Sequence, residues 1–130
     1  EPEFFVLDDV RFNADPYNDI EPVDSSSAAI SAQGLLRLGR YLGDEGKDYY
    51  QAGLTILDTL FDEPYLSTDP AHHGLILHSN YHIPNGWDRI PEGRDIVCDE
   101  SCMWGDYHAR EVALYTQRLA EDKPYYKFYL

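Results

Sequence analysis

Apolar positions recur with helical period in three stretches of this chain and lose that period between the second and the third. Ala28, Ala32, Leu35, Gly39 and Leu42, with Ala29 and Leu36 alongside, advance in steps of three and four residues. That spacing lines one face of a helix. Asp24-Ser25-Ser26-Ser27 offers side-chain oxygens to the free N–H groups of a helix start, and Gly43 suits its stop. A helix is predicted over about residues 25–42. Its stripe opens with small residues, which lets a neighbouring helix approach closely.

Tyr49, Ala52, Ile56 and Leu60, with Gly53 and Leu57 beside them, predict a second helix over about residues 47–61, ended by Pro64. The link GDEG is short, so the two helices should form an antiparallel hairpin. Ala109, Val112, Ala113, Thr116 and Leu119 predict a third helix over about residues 106–120. Between them, residues 65–97 carry no helical period. Gly74-Leu75-Ile76-Leu77 reads as a short buried extended run. NGWDRIPEGRD is rich in turn residues, and a loop this long inside a compact domain is usually functional. Residues 1–23, with Pro16 and Pro22, read as an extended arm lying across the body, because proline biases its predecessor away from helix. The aromatic tail KPYYKFYL is expected to dock against the body. No internal repeat or low-complexity tract stands out.

Composition narrows the picture. The chain of 130 residues is 43% hydrophobic and 14% aromatic, enough for one modest globular domain. No run of roughly eighteen apolar residues suggests a membrane span. The formal charge is −14, from 24 acidic against 10 basic residues. Such a surface repels phosphate backbones and anionic lipid, so neither nucleic acid nor membrane is an expected partner. Cys98 and Cys102 do not make a disulfide scaffold and read as two reduced thiols near a turn. The compartment, cytoplasmic or periplasmic, stays open.

Candidate chemistry gathers in DIVCDESCMWGDYHAREVALYTQRL, residues 95–119, where a polar turn runs into a helix. Helix N-termini favour anionic or hydroxyl-rich ligands. His72, His73, His78 and His82 invite a metal reading, but their spacing matches no zinc pattern, so none is expected. Loop histidines that bond to structure or to sugar are the stronger reading. Asp99, Glu100 and Asp106 are candidates for a glycosidase carboxylate pair. Asp106, just before the predicted helix, reads first as a cap or first-turn residue. Trp87, Trp104, Tyr81 and Tyr107 offer faces on which sugar rings stack, against the alternative of core packing. Trp87 also reads as a loop anchor. There is no phosphate loop, no GxSxG elbow and no complete catalytic set.

DSSSAAISAQGLLRLGRYL, GLILHSNYHIPNG and ESCMWGDYHAREVALYTQRL occur in this order. Together they resemble the C-terminal part of the unsaturated glucuronyl hydrolases, glycoside hydrolase family 88. Related unsaturated rhamnogalacturonyl hydrolases share the architecture. The resemblance spans nearly the whole chain and implies an all-α fold, the C-terminal segment of an (α/α)6 toroid, with residues 1–130 as part of one catalytic domain. It implies hydration of the C4=C5 double bond of a 4,5-unsaturated uronic acid, after which the glycosidic bond falls apart, with no cofactor. The family's two catalytic aspartates lie in its N-terminal half, so no catalytic residue is carried over. Ser101, Trp104, Tyr107, His78 and His82 match regions near the mouth of the ring and are the expected substrate contacts.

The first functional expectation is therefore a glycosidase acting on unsaturated oligosaccharides, incomplete and inactive as this chain alone. Its expected partner is the N-terminal part of the same enzyme, as a second chain or upstream sequence. A non-catalytic carbohydrate-binding or structural helical module is the alternative. A helical interaction protein with only architectural likeness is the third. Turnover of an unsaturated disaccharide separates the first from the others.

Overall fold

A computed structural model describes residues 15–124 and 126. Among them stand three α-helices: α1 (Ser25–Leu42), α2 (Lys47–Leu60) and α3 (Met103–Ala120). α1 is the middle member. It packs against α2 on one side and α3 on another, while α2 and α3 do not meet. Every described helix is too short or too polar to cross a membrane.

The first hairpin follows from local chemistry. Asp24 has extended backbone and its carboxylate accepts the Ser26 N–H, which starts α1. α1 stops at Gly43, whose φ of 62° lies where a side chain would be strained. One 3-10 turn, Gly43–Gly46, then leads straight into α2. The seam between the helices is backbone against backbone. A Cβ on Gly46 would collide with the Gly39 main chain, and one on Gly39 would lie 2.7 Å from Tyr50 Cβ. Farther along, a Cβ on Gly53 would reach within 2.9 Å of Leu36 Cγ. The small-residue stripe thus brings α2 close, as expected from the sequence.

The core joins Ala29, Ala32 and Leu36 of α1, Leu57 and Leu60 of α2, and Ala109, Val112 and Tyr115 of α3, with Ile76 from the segment between. Each buried branched aliphatic side chain contributes about 1.5–3 kcal/mol. Two faces differ from the sequence expectation. Tyr49 and Ala52 of α2 are exposed, because α1 meets the row Gly53, Leu57, Leu60 instead. Ala113 of α3 is exposed and Tyr115 is buried. With α1 as its one helical neighbour among the described residues, α3 needs only a narrow stripe. Arg37 covers the Tyr115 ring, its guanidinium 4.6 Å from the centroid.

Residues 61–102 hold no described α-helix or strand, only the 3-10 turn Ile83–Asn85 and one antiparallel bridge between Leu66 and Ile76. The extended run expected at residues 74–77 is buried only in part: Ile76 is fully enclosed, whereas Leu75 is exposed. Residues 15–23 form no helix or strand. Residues 1–14, with the aromatic stretch FFVLDDVRF, lie outside the described set, as do Tyr125 and residues 127–130 of the tail. Tyr126 lies under Arg118, whose guanidinium is 4.2 Å from the ring centroid.

Candidate functional site

The loop Tyr81–Arg89 closes on itself through one carboxylate. Asp88 Oδ1 accepts the Tyr81 N–H, and its Oδ2 accepts the His82 N–H at 2.7 Å. His82 Nδ1 accepts the Asn85 N–H at 3.2 Å and so caps the 3-10 turn. Gly86, with φ of 63°, reverses the chain. These bonds hold three rings together. Tyr81 and Trp87 have centroids 5.8 Å apart, and His82 and Trp87 5.0 Å apart. From the first turn of α3, Trp104 stacks on Tyr81 at 5.2 Å with 29° between planes. Tyr81 is 52% and Trp87 62% exposed. Large aromatic faces offered to solvent by a hydrogen-bonded loop suit the C–H face of a sugar ring. Beside them lies a cleft of about 330 Å³ lined by Ser79, Arg89, Glu100 and Ser101 as well as by Tyr81 and Trp87. Arg89 and Glu100 form an exposed ion pair at 3.7 Å.

Beneath this platform, side chains take the role that a sheet would otherwise play. Ser101 Oγ donates to the Ile76 carbonyl at 2.5 Å and lies 3.5 Å from His72 Nε2. His72 Nδ1 in turn is 2.9 Å from Ser67 Oγ. α3 begins three residues before its expected start, so Asp106 is not its cap but lies in its first turn, the other half of the sequence reading. Cys102 is the N-cap, its sulfur accepting the Gly105 N–H at 3.3 Å. Asp106 is then free to reach across: its Oδ1 accepts the N–H groups of Leu75 at 2.9 Å and Ile76 at 3.2 Å.

His78 is 1% exposed and sits with φ of 65°, a backbone region uncommon for a residue with a side chain. Its Nδ1 accepts the Asp99 N–H at 3.1 Å, so Nε2 carries the proton and donates to the Pro64 carbonyl at 3.2 Å. Burial lowers its pKa and outweighs the Asp99 carboxylate, which raises it. Tyr17 and Tyr65 meet its ring edge-on at 5.1 and 5.6 Å. Burial and a hydrogen bond to Asp99 push Tyr17 up to about 12. His78 is thus a neutral peg between loops.

Of the five expected contacts, Trp104, His82 and Ser101 come together around the platform and its cleft. His78 is buried between Tyr17 and Tyr65, with no ring contact to the platform among the described residues, and Tyr107 is exposed with its ring against His108, 5.0 Å away. Sequence reasoning missed Asp88 as the organiser of the loop. An aspartate in the turn-rich NGWDR is a known acceptor for nearby N–H groups, so the signal was present. Among the described residues, no three His, Cys, Asp or Glu side chains are grouped to hold a metal ion. Both cysteines are free and buried.

No protein-family model and no curated protein matches this chain. Among solved structures, the crystal structure of an unsaturated glucuronyl hydrolase specific for heparin is similar, with a TM-score of 0.62 and 26% identity. The match covers 80% of this chain and 25% of that one, so the chain spans about a quarter of the protein it resembles. That protein is an α/α toroid glycosidase, and the all-α segment seen here has the fold of part of such a ring. At the level of fold, the likeness is to a glycoside hydrolase.

Proposed function

We propose that this chain is the sugar-contacting part of a glycoside hydrolase that acts on 4,5-unsaturated uronic acid oligosaccharides. The observation that carries the reading is the exposed pair Tyr81 and Trp87, set on a self-bonded loop and backed by the half-buried Trp104 of α3, in a fold like that of a glucuronyl hydrolase. Trp104, His82 and Ser101 are its contacts from the sequence reading, joined by Tyr81 and Trp87. The platform's own carboxylates are engaged: Asp88 by two backbone N–H groups and Glu100 by Arg89. Hydration of the C4=C5 bond therefore falls to aspartates contributed by the rest of such a ring, upstream or on a second chain.

The same engagement of Asp88 and Glu100 favours, as a second reading, a module that binds carbohydrate without turning it over. Titrating an unsaturated uronyl disaccharide while following tryptophan fluorescence, and in parallel the ultraviolet absorbance of its double bond, separates the two. Binding by this chain, with absorbance lost only once the remainder of the ring is supplied, is expected. Binding that never leads to absorbance loss, remainder present, selects the second reading. Failure to bind, together with Trp87→Ala behaving like the parent, removes both.

A further inference from the structure

One oxygen of one side chain holds both ends of the Tyr81–Trp104 stack. The Trp104 indole N–H donates to Ser26 Oγ at 3.3 Å. Ser26 is 2% exposed, and its own hydroxyl proton goes to Asp24 Oδ1 at 2.7 Å. The same Oδ1 accepts the N–H of Asn80, the residue before Tyr81, at 3.3 Å. A serine hydroxyl has one proton to give and lone pairs to receive with. Giving it to a carboxylate leaves the oxygen's lone pairs facing the indole, and hydrogen bonds to an ionised acceptor are the stronger kind. Trp104 and Tyr81 are therefore tied to a common point, one through Ser26 and the other through the main chain of Asn80.

Neighbouring contacts keep that point rigid. Ser25 N–H donates to the His78 carbonyl at 3.1 Å, and Ser25 Oγ lies 2.8 Å from Ser79 Oγ. At Gly105 an added Cβ would stand 2.8 Å from Ser79 Oγ and 3.2 Å from Ser26 Cβ. The starts of α1 and α3 thus meet in close contact beside Trp104. Helix capping alone does not require this arrangement, because Asp24 already caps α1 through the Ser26 N–H at 3.0 Å and holds Ser27 Oγ at 2.6 Å with its other oxygen.

We propose that Asp24 and Ser26 are positioning residues for the aromatic platform: the relay Asn80 N–H, Asp24, Ser26, Trp104 sets the angle at which Tyr81 and Trp104 face a ligand. As a statement about sugar binding this rests on the function proposed above; as a statement about ring orientation it stands by itself. Ser26→Ala cuts the relay and keeps the Asp24 cap. Ser27→Ala removes a bond to the same carboxylate that does not lead to the stack.

The test tracks the Trp104 indole N–H by NMR in the 130-residue chain, with the resonance assigned by Trp104→Phe. The affinity for an unsaturated uronyl disaccharide is measured alongside. Ser26→Ala should move the Trp104 resonance, speed its exchange with solvent and weaken the disaccharide about fivefold, the loss of one ordinary hydrogen bond. Ser27→Ala should do neither. A Trp104 signal indifferent to Ser26→Ala overturns the relay, whether or not sugar binds. So does an unchanged affinity in Ser26→Ala when the parent chain binds. If the parent binds no sugar, the functional reading fails, and the indole signal still decides whether the relay orients the rings.

Discussion

The α1–α2 seam and the segment from residue 61 to residue 102 are held by opposite means. At the seam, stability comes from what is missing: Gly39, Gly46 and Gly53 lack the side chains that would force the helices apart. In the segment it comes from side chains that stand in for main-chain partners. Asp106 serves Leu75 and Ile76, Asp88 serves Tyr81 and His82, Ser101 serves Ile76, and His78 serves Pro64 and Asp99. The first construction tolerates no added volume. The second tolerates no lost hydrogen-bond partner. The same conservative substitution should therefore be harmless in one region and costly in the other.

The largest effect is expected at the seam and core. Leu36 is fully buried and packs against Gly53; Leu36→Ala should cost about 2–5 kcal/mol in urea unfolding. Gly46→Ala comes next, at about 1–3 kcal/mol, because its methyl group would meet the Gly39 backbone in a close-packed site. An unchanged midpoint for Gly46→Ala would mean that the helices are not in backbone contact.

In the loop region, Asp106→Ala should cost about 1–3 kcal/mol by leaving two N–H groups without their acceptor. Its distinguishing mark is local: amide exchange should speed up at Leu75 and Ile76 and stay slow at Ala32 and Leu57. Uniform acceleration would show that the segment is not separately held.

A smaller effect concerns pH. The folded-state pKa of His78 lies below its ordinary value of 6.5, so above that pH both folded and unfolded states hold it neutral. As pH falls below about 6.5, the unfolded chain takes up a proton that the folded chain resists, and stability declines. His78→Asn, a residue that accepts positive φ, should flatten that decline. A parent chain equally stable across this range would contradict the neutral peg. Smallest of all, Tyr107→Ala should change stability by less than about 0.5 kcal/mol and leave disaccharide affinity unaltered. Loss of affinity there would extend the contact surface from the platform onto the exposed face of α3.

The same contrast explains what can be read from the chain alone. α1 agrees with the sequence expectation at both ends and α2 to within one residue, because their signals are local: a cap at Asp24, a stop at Gly43, a stripe in between. The start of α3 differs from expectation because Asp106 resembles a cap, while the true cap is a cysteine, a weak acceptor seldom chosen for that place. Trp104 and His82 are legible as aromatic and imidazole groups in a turn-rich region. Their assembly with Tyr81 and Trp87 is not, since it depends on Asp88 folding the loop and on Ser26 lying 78 residues away from Trp104. His78 shows the limit most clearly: nothing in its neighbourhood along the chain tells a surface histidine from an enclosed one.

The long separations in those bonds also order events in time. The α1–α2 hairpin closes over a four-residue turn and needs nothing beyond Leu60 to bring its glycines together. The platform needs Ser26 from the start of α1 and Trp104 from the start of α3, and contacts between such distant positions form late because a large loop must first be closed. Closure of the platform is thus expected to follow closure of the hairpin.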